Sequence, residues 1–383
     1  MFRFKGIEGF RGWLASTVMI YHVFAATGAN VRFGGLHALT RAADYAVLVF
    51  IIISGFVITH LLLTRPEPYR AYITRRFLRI YPLYLVCLVL GIGATYLTFQ
   101  AFLNAPWGSA TPYLERLTLQ SQSLHGSGFW WHLLAHLSML HGAVSSSVLF
   151  ESQLMFLSTG WSLSLEWQFY LVAPLVIASL RSRRGIALLI FVTLAVMLAY
   201  RAGWFGVFAL PSFLPGAAHY FALGIATRMF IFKLPRPSRF PIVGALIAIG
   251  LCLVTDRVVP VAIWAIFVAW MLVQHPADAW TRAIDRTFSA LFDSRAANYV
   301  GELSYSIYLV HLPILYALLY ACVRGFELGP QPTFFVALLL TPPLTLLASA
   351  LLHRYVEAPA IAYGRTLFKS APRPAAVAAQ TVG

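Results

Sequence analysis

Arg11 and His22 are the first residues in this chain whose types and spacing could do chemistry. They lie in IEGFRGWLASTVMIYH, residues 7–22, with mostly apolar residues between them. At about 100° per residue, positions eleven apart project from nearly the same face of a helix. Their separation along the axis is roughly 16 Å, about half the hydrocarbon thickness of a bilayer. If that helix spans a membrane, Arg11 stands near one interface and His22 near mid-depth. An ionisable side chain at that depth is costly and marks a candidate functional site. A buried histidine satisfied by a neighbouring helix is the alternative.

Three further stretches carry chemistry. RRFLRIYP, residues 75–82, places Arg76 and Arg79 at i, i+3 on one helical face. Paired guanidiniums at an interface can grip a phosphate bidentately, and Arg75 and Tyr81 join them as candidates for the same site. Arg65 and Arg70 read as ordinary flanking charges. WSLSLEWQFY, residues 161–170, sets Ser162 and Glu166 at i, i+4. A glutamate one turn inside an apolar segment needs a partner or a role. It could orient a histidine, accept a proton or pair with an arginine. Trp161, Ser162 and Ser164 are candidates to line the site. GELSYSIYLVHLP, residues 301–313, carries Ser304, Tyr308 and His311 as a polar stripe, which should face a bundle interior or a wet cavity. Tyr305 joins Tyr308 and His311 as site-lining candidates. Ser54, in FIIISGF, offers a hydroxyl beside a glycine that lets another helix approach closely. Glu357 could pair with a cytoplasmic arginine.

The elements that must position these residues follow from composition. The 383 residues are 60% hydrophobic and 11% charged, with a mean hydropathy of +0.75. A soluble chain carries roughly a quarter charged residues, so this is an integral membrane protein. A net charge of +15 could signal nucleic-acid binding, but the basic residues sit in short loops between apolar runs, as membrane topology requires. The fold expected is an all-α bundle of about ten transmembrane helices, at 11–28, 43–63, 80–100, 162–180, 186–203, 213–231, 240–255, 259–275, 299–323 and 333–353. With a cytoplasmic N-terminus, only Arg32, Arg41, Arg116, Arg201, Arg257 and Arg324 of the 28 basic residues fall outside. That bias fixes the orientation and returns the C-terminus to the cytoplasm.

Residues 101–160 form one long extracytoplasmic loop. Its tracts Gly128–His141 and Val148–Leu157 are apolar but short, and read as re-entrant or interfacial helices. His132 and His136 in this loop have i, i+4 spacing, and His125 and His141 lie nearby. No clear third ligand completes a metal site, and none is expected. Cys87, Cys252 and Cys322 lie in apolar runs and share no motif spacing. The first apolar segment reads as an uncleaved signal anchor, since no small-residue cleavage site follows it. No repeat or appended soluble domain is visible. The organisation expected is a transmembrane domain over 1–370 and a disordered cytoplasmic tail over 371–383, rich in Ala and Pro.

Taken together, the motifs IEGFRGWLASTVMIYH, FIIISGFVI, RRFLRIYPLY, WSLSLEWQFY, YFALGIATR, GELSYSIYLVHLP and RYVEAPA resemble, in order, the acyltransferase-3 family of integral membrane acyltransferases. Glu8 stands where an aspartate is usual, and Trp13 is bulky for a position usually small. The resemblance is to stand-alone members without an appended esterase-like domain. It implies transfer of an acyl group, commonly acetyl, from cytoplasmic acyl-CoA to a hydroxyl. Acceptors implied are O-antigen, exopolysaccharide and other envelope glycans or glycolipids, at the bacterial inner membrane. It also implies His22, Arg11, Arg76 and Arg79 as essential residues. An acyl arm whose phosphates rest on Arg76 and Arg79 could place its thioester roughly 15–20 Å deeper, near His22. There an imidazole could take the acceptor's proton, or carry the acyl group itself, and Arg11 could steer the donor or stabilise an oxyanion. The competing class is a transporter or flippase for a glycan or lipid precursor, with His22 and Arg11 lining its path.

Overall fold

The computed structural model describes residues 4–29, 37–105, 112–230, 258–272 and 278–368. Every regular element among them is helical. In chain order these are α1 (Ile7–Ala26), α2 (His37–Thr64), α3 (Tyr69–Asn104), α4 (Pro112–Ser123), α5 (Gly128–Leu137), α6 (Gly160–Ser179), α7 (Arg183–Arg201), α8 (Leu214–Phe230), α9 (Val258–Met271), α10 (Ala279–Phe292), α11 (Arg295–Glu302), α12 (Ser304–Tyr320), α13 (Pro330–Leu352) and α14 (Ala358–Leu367).

Among the described residues, five helical stretches are long and apolar enough to cross a membrane: Arg41–Thr64, Tyr69–Asn104, Arg183–Arg201, Ser304–Gly325 and Pro330–Leu367. The expected count of about ten is met in part. Helices α1 and α6 are 20 residues each, long enough to span, but the polar residues they carry lower their apolarity. Helix α8 has 17 residues and α9 has 14. The span expected at 240–255 and the tail over 371–383 lie outside the described residues.

Three boundaries differ from expectation. Helix α3 begins at Tyr69, well before the span expected from residue 80, and carries Arg75, Arg76 and Arg79 within its first turns, with Arg76 and Arg79 on a helix as expected. The segment expected at 299–323 is divided at Leu303, which places Gly301 and Glu302 on the short helix α11. Helix α13 continues through a π-turn, His353–Glu357, into α14. Glu357 is buried in that turn and accepts from Ser306 Oγ and His353 Nδ1, each at 3.1 Å. Its partners are therefore a serine and a histidine, where the sequence suggested an arginine.

Backbone contact at glycines sets how α1 and α2 pack. A Cβ at Gly12 would lie 2.8 Å from the Gly301 nitrogen, and one at Gly301 would lie 2.0 Å from the Glu8 carbonyl oxygen. Helix α1 thus rests directly on α11. Similarly, a Cβ at Gly55 would lie 2.4 Å from the Phe221 oxygen, and one at Gly224 would lie 2.1 Å from the Ile52 oxygen. The Ser54–Gly55 pair allows the close approach expected of it, and α8 is the partner. Below α1, Asp285 of α10 accepts from Lys5 Nζ at 2.5 Å and from Trp270 Nε1 at 3.0 Å. The Lys5 contact holds the Asp285 carboxyl below its ordinary value.

The long loop folds back over α3. Arg116 Nε donates to Glu151 at 2.6 Å, and the Tyr84 hydroxyl donates to the His136 carbonyl at 3.1 Å. Its first short tract forms α5, and its second contains only the 3₁₀ turn Ser152–Leu154. His132, His136 and His141 are fully buried there. The His136 and His141 rings stack at 4.0 Å, and among the described residues no group of three or more metal-type side chains converges.

Candidate active site

Two cavities lie end to end inside the bundle. One, of about 360 Å³, is lined by Arg11, Arg65, Arg75, Arg76, Arg79 and Arg365, with Glu8, Glu67 and Glu166. All six arginines belong to the set assigned to the cytoplasm by charge bias. The other, of about 290 Å³, is lined by His22, Asp44, Arg116 and Gln120 together with Tyr21, Trp161 and Tyr316. Its roof includes Leu154–Thr159 of the long loop. Tyr308 borders both cavities. Its hydroxyl accepts from Ser162 Oγ, on the lower side, at 2.9 Å.

Helix α1 feeds both spaces. Arg11 reaches the lower cavity, where Nη1 lies 3.4 Å from Glu8, and His22 borders the upper one. A straight helix separates the two residues by roughly 16 Å, so one face delivers a charge to one end and an imidazole to the other. His22 Nδ1 lies 3.0 Å from His311 Nε2 of α12. On that helix Ser304, Tyr308 and His311 are all buried, so the expected polar stripe does face the interior.

The lower cavity carries an excess of positive charge. Arg76 Nε is buried with no hydrogen-bond partner among the described residues, and the guanidinium lies 6.0 Å from the Tyr170 ring. A buried donor without a partner costs free energy that a bound anion would recover. Glu166 does not occupy it: its Oε1 accepts from Ser54 Oγ at 2.9 Å and from the Tyr170 hydroxyl at 2.5 Å. Tyr305 lines the same space and donates to the Ile80 carbonyl at 2.5 Å.

Three candidates stand elsewhere or are engaged otherwise. Arg75 borders the cavity, but its guanidinium pairs with Glu67 and donates to the Gly364 and Phe368 carbonyls, tying α14 to α3. Tyr81 donates to the Leu137 carbonyl at 3.0 Å and stacks on Phe77, tethering α5. Ser164 accepts from the Gly142 N–H at 3.0 Å, another anchor of the long loop. The sequence reading missed Arg65 and Arg365 as lining residues and Asp44, Arg116 and Gln120 in the upper cavity. Arg65 directly follows the last turn of α2, a place where a flanking charge and a cavity charge look alike.

A family model described as an acyltransferase domain matches residues 4–353, nearly the whole chain. The protein therefore belongs to the acyltransferase-3 family, and is a membrane acyltransferase in the general sense that this family defines. No curated protein and no solved structure matches the chain.

Proposed function

We propose that this protein moves an acyl group, acetyl being the expected one, from cytoplasmic acyl-CoA to a hydroxyl of an envelope glycan or glycolipid such as O-antigen or exopolysaccharide. The observation that carries the reading is the pair of unlike cavities meeting at Tyr308. The donor's phosphates bind Arg76 and Arg79, with Arg11, Arg65 and Arg365 adding positive field. Its acyl arm points toward the Tyr308–Ser162 pair. The acceptor enters the upper cavity, where tyrosine and tryptophan faces and the side chains of Asp44, Gln120 and Arg116 suit a sugar.

His22 takes the acceptor's proton as the oxygen attacks the thioester carbonyl. The new C–O bond forms, the C–S bond breaks, and the proton passes to the departing CoA thiolate. An acyl-histidine is the covalent variant of the same step. The setting proposed is the bacterial inner membrane, with both termini in the cytoplasm.

Purified protein in lipid nanodiscs, given radiolabelled acetyl-CoA and envelope glycan, should release CoA and label the glycan. Glycan counterflow with no CoA release would replace this reading with the transporter, which two opposed cavities could also serve.

A further inference from the structure

His22 is not held by its own helix alone. His311, on α12, is fully buried, and its ring stands 5.1 Å from that of His22 with 36° between the planes. We infer that His311 is a positioning residue that holds His22 in the tautomer whose Nε2 is unprotonated. The proton assignment follows link by link. His311 Nδ1 lies 2.9 Å from the Ile307 carbonyl oxygen, one turn back. A carbonyl only accepts, so Nδ1 carries the hydrogen. His311 is buried and its hydrogen bonds run to that carbonyl and to His22, so it is neutral; a lone buried imidazolium would be costly. A neutral imidazole has one N–H, which leaves His311 Nε2 as an acceptor.

Facing it at 3.0 Å is His22 Nδ1, which must therefore donate. The remaining nitrogen of His22, Nε2, keeps its lone pair.

This deepens the catalytic reading of His22 and rests on it for its functional meaning. When Nε2 takes the acceptor's proton, Nδ1–H still donates to His311, which supports the imidazolium and changes no proton of its own. The proton then leaves from Nε2 to the CoA sulfur. An acceptor in the place of His311 also fixes the ring's rotation. The role is that of the group that orients a catalytic histidine, here filled by a neutral imidazole and not by a carboxylate.

The test has two arms. Nanodisc protein labelled with ¹⁵N-histidine, with His22 assigned by its loss in His22→Gln, should show Nδ1 protonated and Nε2 bare. A His22 protonated at Nε2 overturns the inference, whatever the enzyme does. In the second arm, His311→Leu should lower kcat roughly ten- to a hundredfold with KM for acetyl-CoA and Tm little changed. His311→Gln, whose Oε1 can accept, should recover most of the rate. Equal rates in the leucine variant and wild type, or loss that tracks the loss of folded protein in both variants, also overturns it. If His311→Leu does not fold, the wild-type spectrum and His311→Gln decide. Full turnover by His22→Ala with Nε2 bare would remove the catalytic reading and leave the tautomer assignment standing.

Discussion

The two cavities are similar in size and opposite in character. The lower one gathers six arginines against three glutamates, while the upper one has one arginine, one aspartate and His22 among aromatic rings. A polyanion gains from the first and has little to gain from the second. A neutral, hydroxyl-rich molecule gains from the second, where hydrogen-bonding groups and ring faces replace charge. The difference teaches that sidedness is built into the site itself: each substrate has one end of the protein at which it is stabilised.

The largest effect that could break this comparison is all-or-none. Topology reporters fused after Arg70 and Arg184 should read cytoplasmic, and reporters within 101–160 should read extracytoplasmic. A cytoplasmic reading from the long loop would put the acceptor cavity on the donor's side. Next in size, His22→Ala and His22→Gln should bind acetyl-CoA normally yet transfer acyl groups at least about a hundredfold more slowly, as when a general base is lost. Substantial turnover by a well-folded His22→Gln protein would reduce His22 to a packing residue.

Arg76→Ala and Arg79→Ala should weaken acetyl-CoA binding by roughly ten- to a hundredfold, the equivalent of about 1.5–3 kcal/mol per charge-assisted contact. Lysine should rescue only part of this if the grip is bidentate. Equilibrium binding in nanodiscs checks both, and unchanged affinity would leave the lower cavity without its donor. The smallest effect lies at the edge of the site, where Lys5 clamps α10 beneath α1. The Asp285 carboxyl is held below its ordinary 3.8. Its contribution is therefore full above that value and is lost as pH falls through the depressed one. Asp285→Asn should lower stability by no more than about 1 kcal/mol at pH 7, and thermal unfolding should show the gap closing as pH falls below the carboxyl's ordinary value.

Helical periodicity made much of this legible. Arg11 and His22 share a face, Ser162 and Glu166 share another, and the stripe Ser304, Tyr308, His311 turns inward, all as spacing requires. The same periodicity explains two candidates placed elsewhere. Tyr81 is two positions past Arg79, and Ser164 two past Ser162, so each points about 200° around its helix from its neighbour. Both reach the long loop instead. Span counting was less legible because α1 and α6 carry the site, and their polar residues dilute the signal that identifies a membrane helix. The break before Ser304 left little mark either: Leu303 stays near helical geometry, with φ −84° and ψ −5°, and the nearest glycine, Gly301, lies within α11. Nor could one sequence show that His311 meets His22, a contact between residues 289 positions apart.

The seam between α3 and α14 also governs when the enzyme becomes complete. Ile361 and Arg365 of α14 line the lower cavity, and Arg75 fastens that helix through the Gly364 and Phe368 carbonyls. On the ribosome, the arginines of α3 are made almost three hundred residues before the strap that closes over them. A nascent chain can thus insert most of its helices while the arginine-lined cavity still lacks a wall. Chains stalled before residue 361 would sit in the membrane with that cavity still open on one side.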